Sequence, residues 1–348
     1  MAVKPKSPRP KSRTSHIPHV TKTRGAVNEF NKRQREHEER RELAKPYILT
    51  PADVNGKYDA ARTLKTTLGG ERRPITAEDL AVFRDNVATV ARHYQKGLTA
   101  QQIINLSEEH DIKRANAFIH YAVPSSANRG TVRFITNASP TSDVKRHYTI
   151  VKFLDFQNAV ISEEESNKAA ANLGKYGKLA ISCDCGRWNF WFRYIATIGG
   201  FNAAGKEFGF PKIRNPQLMG IACMHILRTL REVQGGAAVK SVVARMIDSA
   251  RADDARQHIA ITKAEAQKVA RSQAKSVKDV EVRLPGPKAE WDPLRARIKK
   301  KWTADKQKQP TKTADKARAD ALKNLRRLKD LGQLSQADYD KIHATLTK

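Results

Sequence analysis

The sequence predicts a mainly helical α+β protein with extended basic arms. Apolar residues recur at three- and four-residue spacing over several long stretches, which is the pattern of amphipathic helices. Shorter runs between residues 115 and 182 alternate or are continuously apolar, as strands are. The two ends are rich in Lys and Arg and offer little that could form a core. The 348-residue chain has a formal net charge of +29, a field that attracts polyanions. Nucleic acid is the leading partner class on that ground, with an acidic protein surface or an anionic membrane behind it.

Residues 1–27 contain seven Lys or Arg and four prolines but no acid, so they read as an extended arm. From Asn28 to about Lys45 the chain is helix-prone but charged on every face, which predicts a solvated or partner-covered helix. Within residues 28–140, Thr76 can cap a helix carrying Leu80, Phe83, Val87, Val90 and Ala91. Gly97 stops it, and Thr99 caps a short helix with Ile103, Ile104 and Leu106. Ala115–Ser126 and Thr131–Asn137 are expected to form a β-hairpin.

Residues 147–235 form the next domain. Tyr148 to Phe153 suggests a strand and Phe156 to Ile161 its partner; Ser162 and Glu165 have capping-box spacing ahead of a short helix. Lys178–Ser182 reads as a strand and Met224–Val233 as an amphipathic helix. Twelve of the 23 aromatic residues lie between Tyr148 and Phe210, so this domain has an aromatic core. Residues 236–284 read as two helices, 238–256 and 262–277, the second opened by a Thr262/Glu265 capping box. Pro285, Gly286 and Pro287 mark a linker before a basic segment, 288–320. The last segment, 321–348, has an apolar face of Leu322, Leu325, Leu328, Leu334, Tyr339, Ile342 and Leu346, with a stop at Gly332 and a cap at Ser335.

All three cysteines belong to one constellation. Cys183 and Cys185 form a C-x-C pair, and Cys223 with His225 a C-x-H pair after a spacer of 37 residues. Buried cysteines used as small hydrophobes would not explain the paired one-residue spacing or the histidine. Three sulfurs and an imidazole suit one tetrahedral Zn2+. An iron–sulfur cluster on the same four ligands is the less favoured alternative, because two tight pairs suit one small ion. All four positions would be filled by protein, which indicates a structural site with no place for a catalytic water. The odd cysteine count argues against disulfide stapling.

The run from about Tyr148 to Val233 resembles a SWIM-type zinc finger, whose pattern is C-x-C, a spacer, then C-x-H and an aliphatic helix. Gly220-Ile-Ala-Cys-Met-His-Ile-Leu-Arg-Thr-Leu230 is similar to its second half and Ile181-Ser-Cys-Asp-Cys185 to its first. The resemblance implies Cys183, Cys185, Cys223 and His225 as zinc ligands. The spacer here is longer than the family commonly has, and it carries Trp188, Phe190, Trp191, Phe192 and Tyr194. This aromatic-rich form resembles SWIM-like segments of structural proteins of tailed bacteriophages. That implies virion or assembly subunits as partners and a protein made in a host cytoplasm and carried in the virion. Residues 321–348 resemble a SHOCT-type short helical hairpin, which implies homo-oligomerisation through the C-terminal helices; docking on the chain's own helices is the competing account.

Trp188, Trp191, Ile195 and Ile198 recur at helical spacing, so a core stripe is favoured over a base-stacking platform. Arg187, Arg193, Lys206, Lys212 and Arg214, with Lys299, Lys300 and Lys301, are candidates for phosphate contact. An ordinary solvated basic surface is the competing account for each. No Walker A loop, G-x-S-x-G, H-E-x-x-H or dinucleotide fingerprint is present, and no catalytic residue is assigned. No run approaches the ~18 apolar residues of a membrane helix, and the N-terminus lacks the apolar core of a secretory signal. The expected function is a non-enzymatic zinc protein of a phage particle. The alternative is a soluble intracellular DNA-binding zinc protein associated with transposition or regulation.

Overall fold

The computed structural model describes residues 23–94, 97–252, 258–276, 281–284, 318–319, 321–331 and 334–347. It is α+β and mainly helical, as the sequence predicts. The described residues fall into two compact units: 23–68 with 72–284, and 69–71 with those from 318 onward. The arm 1–22, the stop at Gly332 and Lys299, Lys300 and Lys301 lie outside the described residues. Among the described residues, no helix is long and apolar enough to cross a membrane.

The first unit is built on strands drawn from the whole stretch between residues 98 and 260. A short ribbon pairs β1 (Lys65–Thr66) with β2 (Arg73–Pro74). The main sheet has six antiparallel strands in the order β3-β7-β6-β5-β4-β8. These are β3 (Leu98–Thr99), β4 (Ala122–Asn128), β5 (Thr131–Asn137), β6 (Arg146–Phe153), β7 (Lys178–Cys183) and β8 (His258–Ala260). The segments 28–140, 147–235 and 236–284 therefore share one sheet. The register places Phe134 opposite Thr149 and Thr149 opposite Cys183, on the same face as Val132, Val151 and Ile181. Because side chains alternate across a sheet, that face is apolar apart from the threonine and the cysteine. It packs on α8 (Met224–Gly235) and α9 (Ala237–Arg251). The Thr149 hydroxyl meets that of Thr229 at 2.8 Å, so even the buried polar group is satisfied.

The opposite face takes α1 (Thr23–Leu43), with the Arg33 guanidinium 5.3 Å from the centre of the Tyr148 ring. One side of α1 is therefore covered by this chain itself, while the side expected to be solvated or partner-covered stays exposed. Ala26, Phe30 and His37 of α1 are buried, and Glu29, Arg33 and Arg41 form part-buried ion pairs, while Lys32, Arg35, Glu39 and Arg40 stay exposed.

Next come α2 (Ala77–Tyr94), α3 (Ala100–Asn105) and α4 (Glu109–Phe118). Thr99 makes a reciprocal capping box with Gln102 at the start of α3, and Gly97 takes a φ of 74° just before it. Two strand expectations give way here. Ala115–Phe118 completes α4, because Ile112 and Ala115 sit three apart on one buried helical face. Phe156–Ile161 forms α5, whose buried Phe156 and Ala159 have the same spacing. A turn at Asp155 makes this possible, its carboxylate accepting the Lys178 amide at 2.7 Å. The cap of α6 (Ser166–Tyr176) is Glu165 rather than Ser162, the Glu165 carboxylate accepting the Asn167 amide. Strand β8 has no counterpart in the sequence reading.

The chain then passes through a π-helical turn, Trp188–Phe192, into α7 (Arg193–Ile198). Helix α10 (Lys263–Lys275) starts with the expected Thr262/Glu265 capping box. It is held by Gln273, whose amide accepts the Ala122 N–H at 2.9 Å and donates to Glu232 at 2.8 Å. Glu232 also receives buried Arg228 at 2.6 Å, so a neutral amide on α10 completes an ion pair within α8.

The second unit contains the terminal hairpin: α11 (321–330) and α12 (Gln336–Thr347). Ser335 caps α12 through the Asp338 amide, as expected, and Lys329 lies 4.7 Å from the Tyr339 ring centre. Leu328 and Ile342 remain 41% and 40% exposed, so part of the hairpin's apolar face is open.

Gly174 of α6 tests how tightly the helices meet. A Cβ at this position would run into the Val233 carbonyl of α8. Gly174→Ala is expected to cost about 1–3 kcal/mol, seen as a lower urea midpoint at unchanged slope. An unchanged midpoint would mean that α6 and α8 can separate without loss.

Candidate metal centre

Strand β7 ends at Cys183, and its last residue is therefore delivered at the sheet rim beside the start of α8. Cys223 occupies the position just before α8, with an extended backbone (φ −83°, ψ 165°), and His225 lies in the first turn. The three sulfurs and the imidazole meet there, with one donor atom from each residue within 4.8 Å of all the others. All four residues are buried. Cys183 Sγ lies 3.9 Å from His225 Nδ1. An ion at about 2.0–2.3 Å from each donor would place tetrahedral donors roughly 3.3–3.8 Å apart, so little adjustment is needed.

The electrostatics of the cluster favour a cation. Burial beside Cys185 and Cys223 pushes the Cys183 thiol up. Burial acts the same way on Cys223, but hydrogen bonds from the other two cysteines and the Ile226 amide bring it down. Three thiolates in one dry pocket repel one another, and a bound cation would offset their charge and so favour the deprotonated form that ligates. Burial, then the nearby His147, keep His225 below its ordinary value, and the neutral imidazole is the form that ligates. His225 Nε2 is buried with no hydrogen-bond partner, and Nδ1 faces sulfur. These donors fit one ion and leave it no protein-free direction.

Amides and a carboxylate hold the ligand loop. Cys183 Sγ accepts the Cys185 amide at 3.4 Å, and Cys185 Sγ accepts the Trp188 amide at 3.3 Å. Asp184, between the two cysteines, is buried and accepts from His147 Nδ1 at 2.9 Å and from the Tyr148 amide at 3.0 Å. Its second oxygen takes Arg33 Nη1 at 2.5 Å. Burial would raise the Asp184 carboxyl, but His147, Arg33 and the Tyr148 amide hold it below the usual range. His147 also lies against the His225 ring, at 4.3 Å between centroids. Burial would lower His147, yet its bond to Asp184 raises it.

Comparison with protein-family models, with curated proteins and with solved structures finds no match to this chain. The residues must speak for themselves.

The cationic candidates are dispersed. Arg187 pairs with buried Asp111 at 2.7 Å and lies 4.7 Å over the Trp191 ring. Arg214 lies 5.1 Å from the same ring and is otherwise exposed. Arg193 is buried, a correction to its place among surface cations: its Nε donates to the Gly205 carbonyl at 2.9 Å. Lys212 donates to the Tyr47 carbonyl at 2.6 Å, and burial beside Arg41 and Arg62 lowers its basicity. Lys206 is exposed. Trp188 is buried while Trp191 is only partly covered, so the aromatic stripe is chiefly core. Asp184, His147, Arg33 and Asp111 escaped the sequence reading. Only Asp184 carried a signal, by standing between two ligand cysteines.

The three thiols are expected to resist Ellman's reagent in the native protein and to react fully once chelator and denaturant are present together. Rapid titration of all three under native conditions would contradict the buried cluster.

Proposed function

We propose that this chain is a non-enzymatic assembly protein of a tailed-phage particle, stabilised by one structural zinc ion. The observation that carries the reading is the closed, buried Cys183–Cys185–Cys223–His225 group. Three thiolates and one imidazole form a set that zinc favours and that leaves no position for a reacting water. An ion so enclosed contributes folding free energy rather than chemistry. Supporting the particle assignment are the SWIM-like ligand spacing, the SHOCT-like terminal hairpin with its partly open apolar face, and the net charge of +29. In this reading the basic segments contact nucleic acid or acidic neighbouring subunits, and the metal domain holds them in place. Lys206 and Arg214 are the described candidate cations most available for phosphate, since Arg187, Arg193 and Lys212 are committed internally.

Elemental analysis of purified protein is expected to give one zinc per chain. Serine at Cys183 or Cys223 is expected to abolish stoichiometric binding and to lower thermal stability sharply. Iron with visible charge-transfer absorption would instead assign a cluster. Quantitative mass spectrometry of purified native particles tests the function itself. A fixed copy number per particle supports it. Absence from particles, together with steeply salt-dependent binding to free DNA, would transfer the chain to the class of soluble DNA-binding factors.

A further inference from the structure

We infer that Arg33 and Asp184 are positioning residues for the metal centre, and that docking of α1 is thermodynamically linked to metal occupancy. The inference rests on the metal reading above and goes beyond it, because it ties the site to the segment that follows the basic arm in sequence.

The geometry is a chain of fixed contacts. Asp184 occupies the one position between two ligand cysteines, and its side chain has no exposure to solvent. The Tyr148 amide and His147 fix one carboxylate oxygen, and Arg33 of α1 takes the other. Arg33 also donates to the Arg146 carbonyl at 3.0 Å. One turn earlier on α1, Glu29 pairs with Arg33 at 2.5 Å and with Arg146 at 2.8 Å, and accepts the Tyr148 hydroxyl. A single turn of α1 is thus bolted to β6 and to the loop that presents Cys183 and Cys185.

The helix has a second anchor away from that loop. Glu207, largely buried, receives Arg41 at 2.5 Å and the Gly209 amide at 2.7 Å, with His37 at 3.7 Å. The two anchors separate what the metal controls from what merely holds the helix.

Coupling follows from charge and from order. A divalent ion held by three thiolates leaves one net negative charge on the cage, beside the Asp184 carboxylate. Arg33 is the permanent cation that meets that carboxylate. When the ion leaves, the loop 183–185 keeps its hydrogen bonds but loses the two metal bonds that add to them, so the acceptor that Arg33 takes is held less rigidly. Linkage is reciprocal: whatever docking of Arg33 gains from the metal, metal binding gains from Arg33. Groups that orient metal ligands from behind typically change affinity 10–100-fold when removed.

Full-length protein, zinc and a chromophoric competing chelator provide the test, together with hydrogen exchange over residues 23–43. Arg33→Ala and Asp184→Asn are each expected to weaken zinc binding about 10–100-fold, with Arg33→Lys recovering part of the loss. Arg41→Ala should speed exchange in α1 yet leave zinc affinity unchanged, as loss of a merely structural anchor would. Zinc removal from the parent protein should raise exchange in 26–37 while β5 stays protected. Equal zinc affinity in the parent and Arg33→Ala overturns the inference alone, and this comparison decides it even if the zinc-free protein unfolds throughout. Protein that takes up no zinc overturns the metal reading and this inference with it.

Discussion

The end of β7 and the start of α8 converge on four donor atoms, and the geometry of the first unit is organised around that convergence. A strand presents its last side chain to one face of the sheet, and a helix presents its first turn along its axis. An ion joining Cys183 to Cys223 and His225 would therefore fix both the register of β7 in the sheet and the angle at which α8 crosses it. The threonine pair 149/229 and the buried Arg228–Glu232 pair then lie where α8 must already be in place. A polar group buried without its partner costs a large part of a domain's margin of stability, so these contacts reinforce one arrangement and penalise others.

Buried charge is used the same way elsewhere. Asp53 takes Arg62, Asp79 takes Arg73, Asp111 takes Arg187 and Glu207 takes Arg41, each acid being less exposed than its arginine. Such pairs contribute modestly as net stability, but breaking one leaves a buried charge alone. They act as positional locks on loops and helix ends. This also explains why a strongly basic protein shows so few free arginines on the described residues around the cysteine–histidine group: many cations are internal fasteners.

The sequence was most readable where local chemistry is decisive. The cap at Thr99, the capping box at Thr262, the β5 and β6 strands and the cysteine–histidine quartet needed only spacing and residue type. It was least readable where tertiary contacts overrule local pattern. Phe156–Ile161 is expected as the partner strand of β6 but turns helical, because the Asp155 carboxylate accepts the Lys178 amide and redirects the chain. Helix α1 looks polar on every side because its partners, Asp184 and Glu207, are more than 140 residues away in sequence. Charge alone does not reveal whether a cation faces water or an acid brought in by the fold. Arg193 illustrates this, being buried where the composition suggested a surface.

The edges of the sheet have a consequence for assembly. The outermost strands, β3 and β8, are two and three residues long, whereas the strands between them run from six to eight. Long open edges invite neighbouring chains to add strands indiscriminately, and stubs of this length offer too few free amides and carbonyls for that. Any association between copies would then be dictated by side chains on helices and loops, which can be selective. A chain packed at high local concentration would thereby be spared runaway fibre growth.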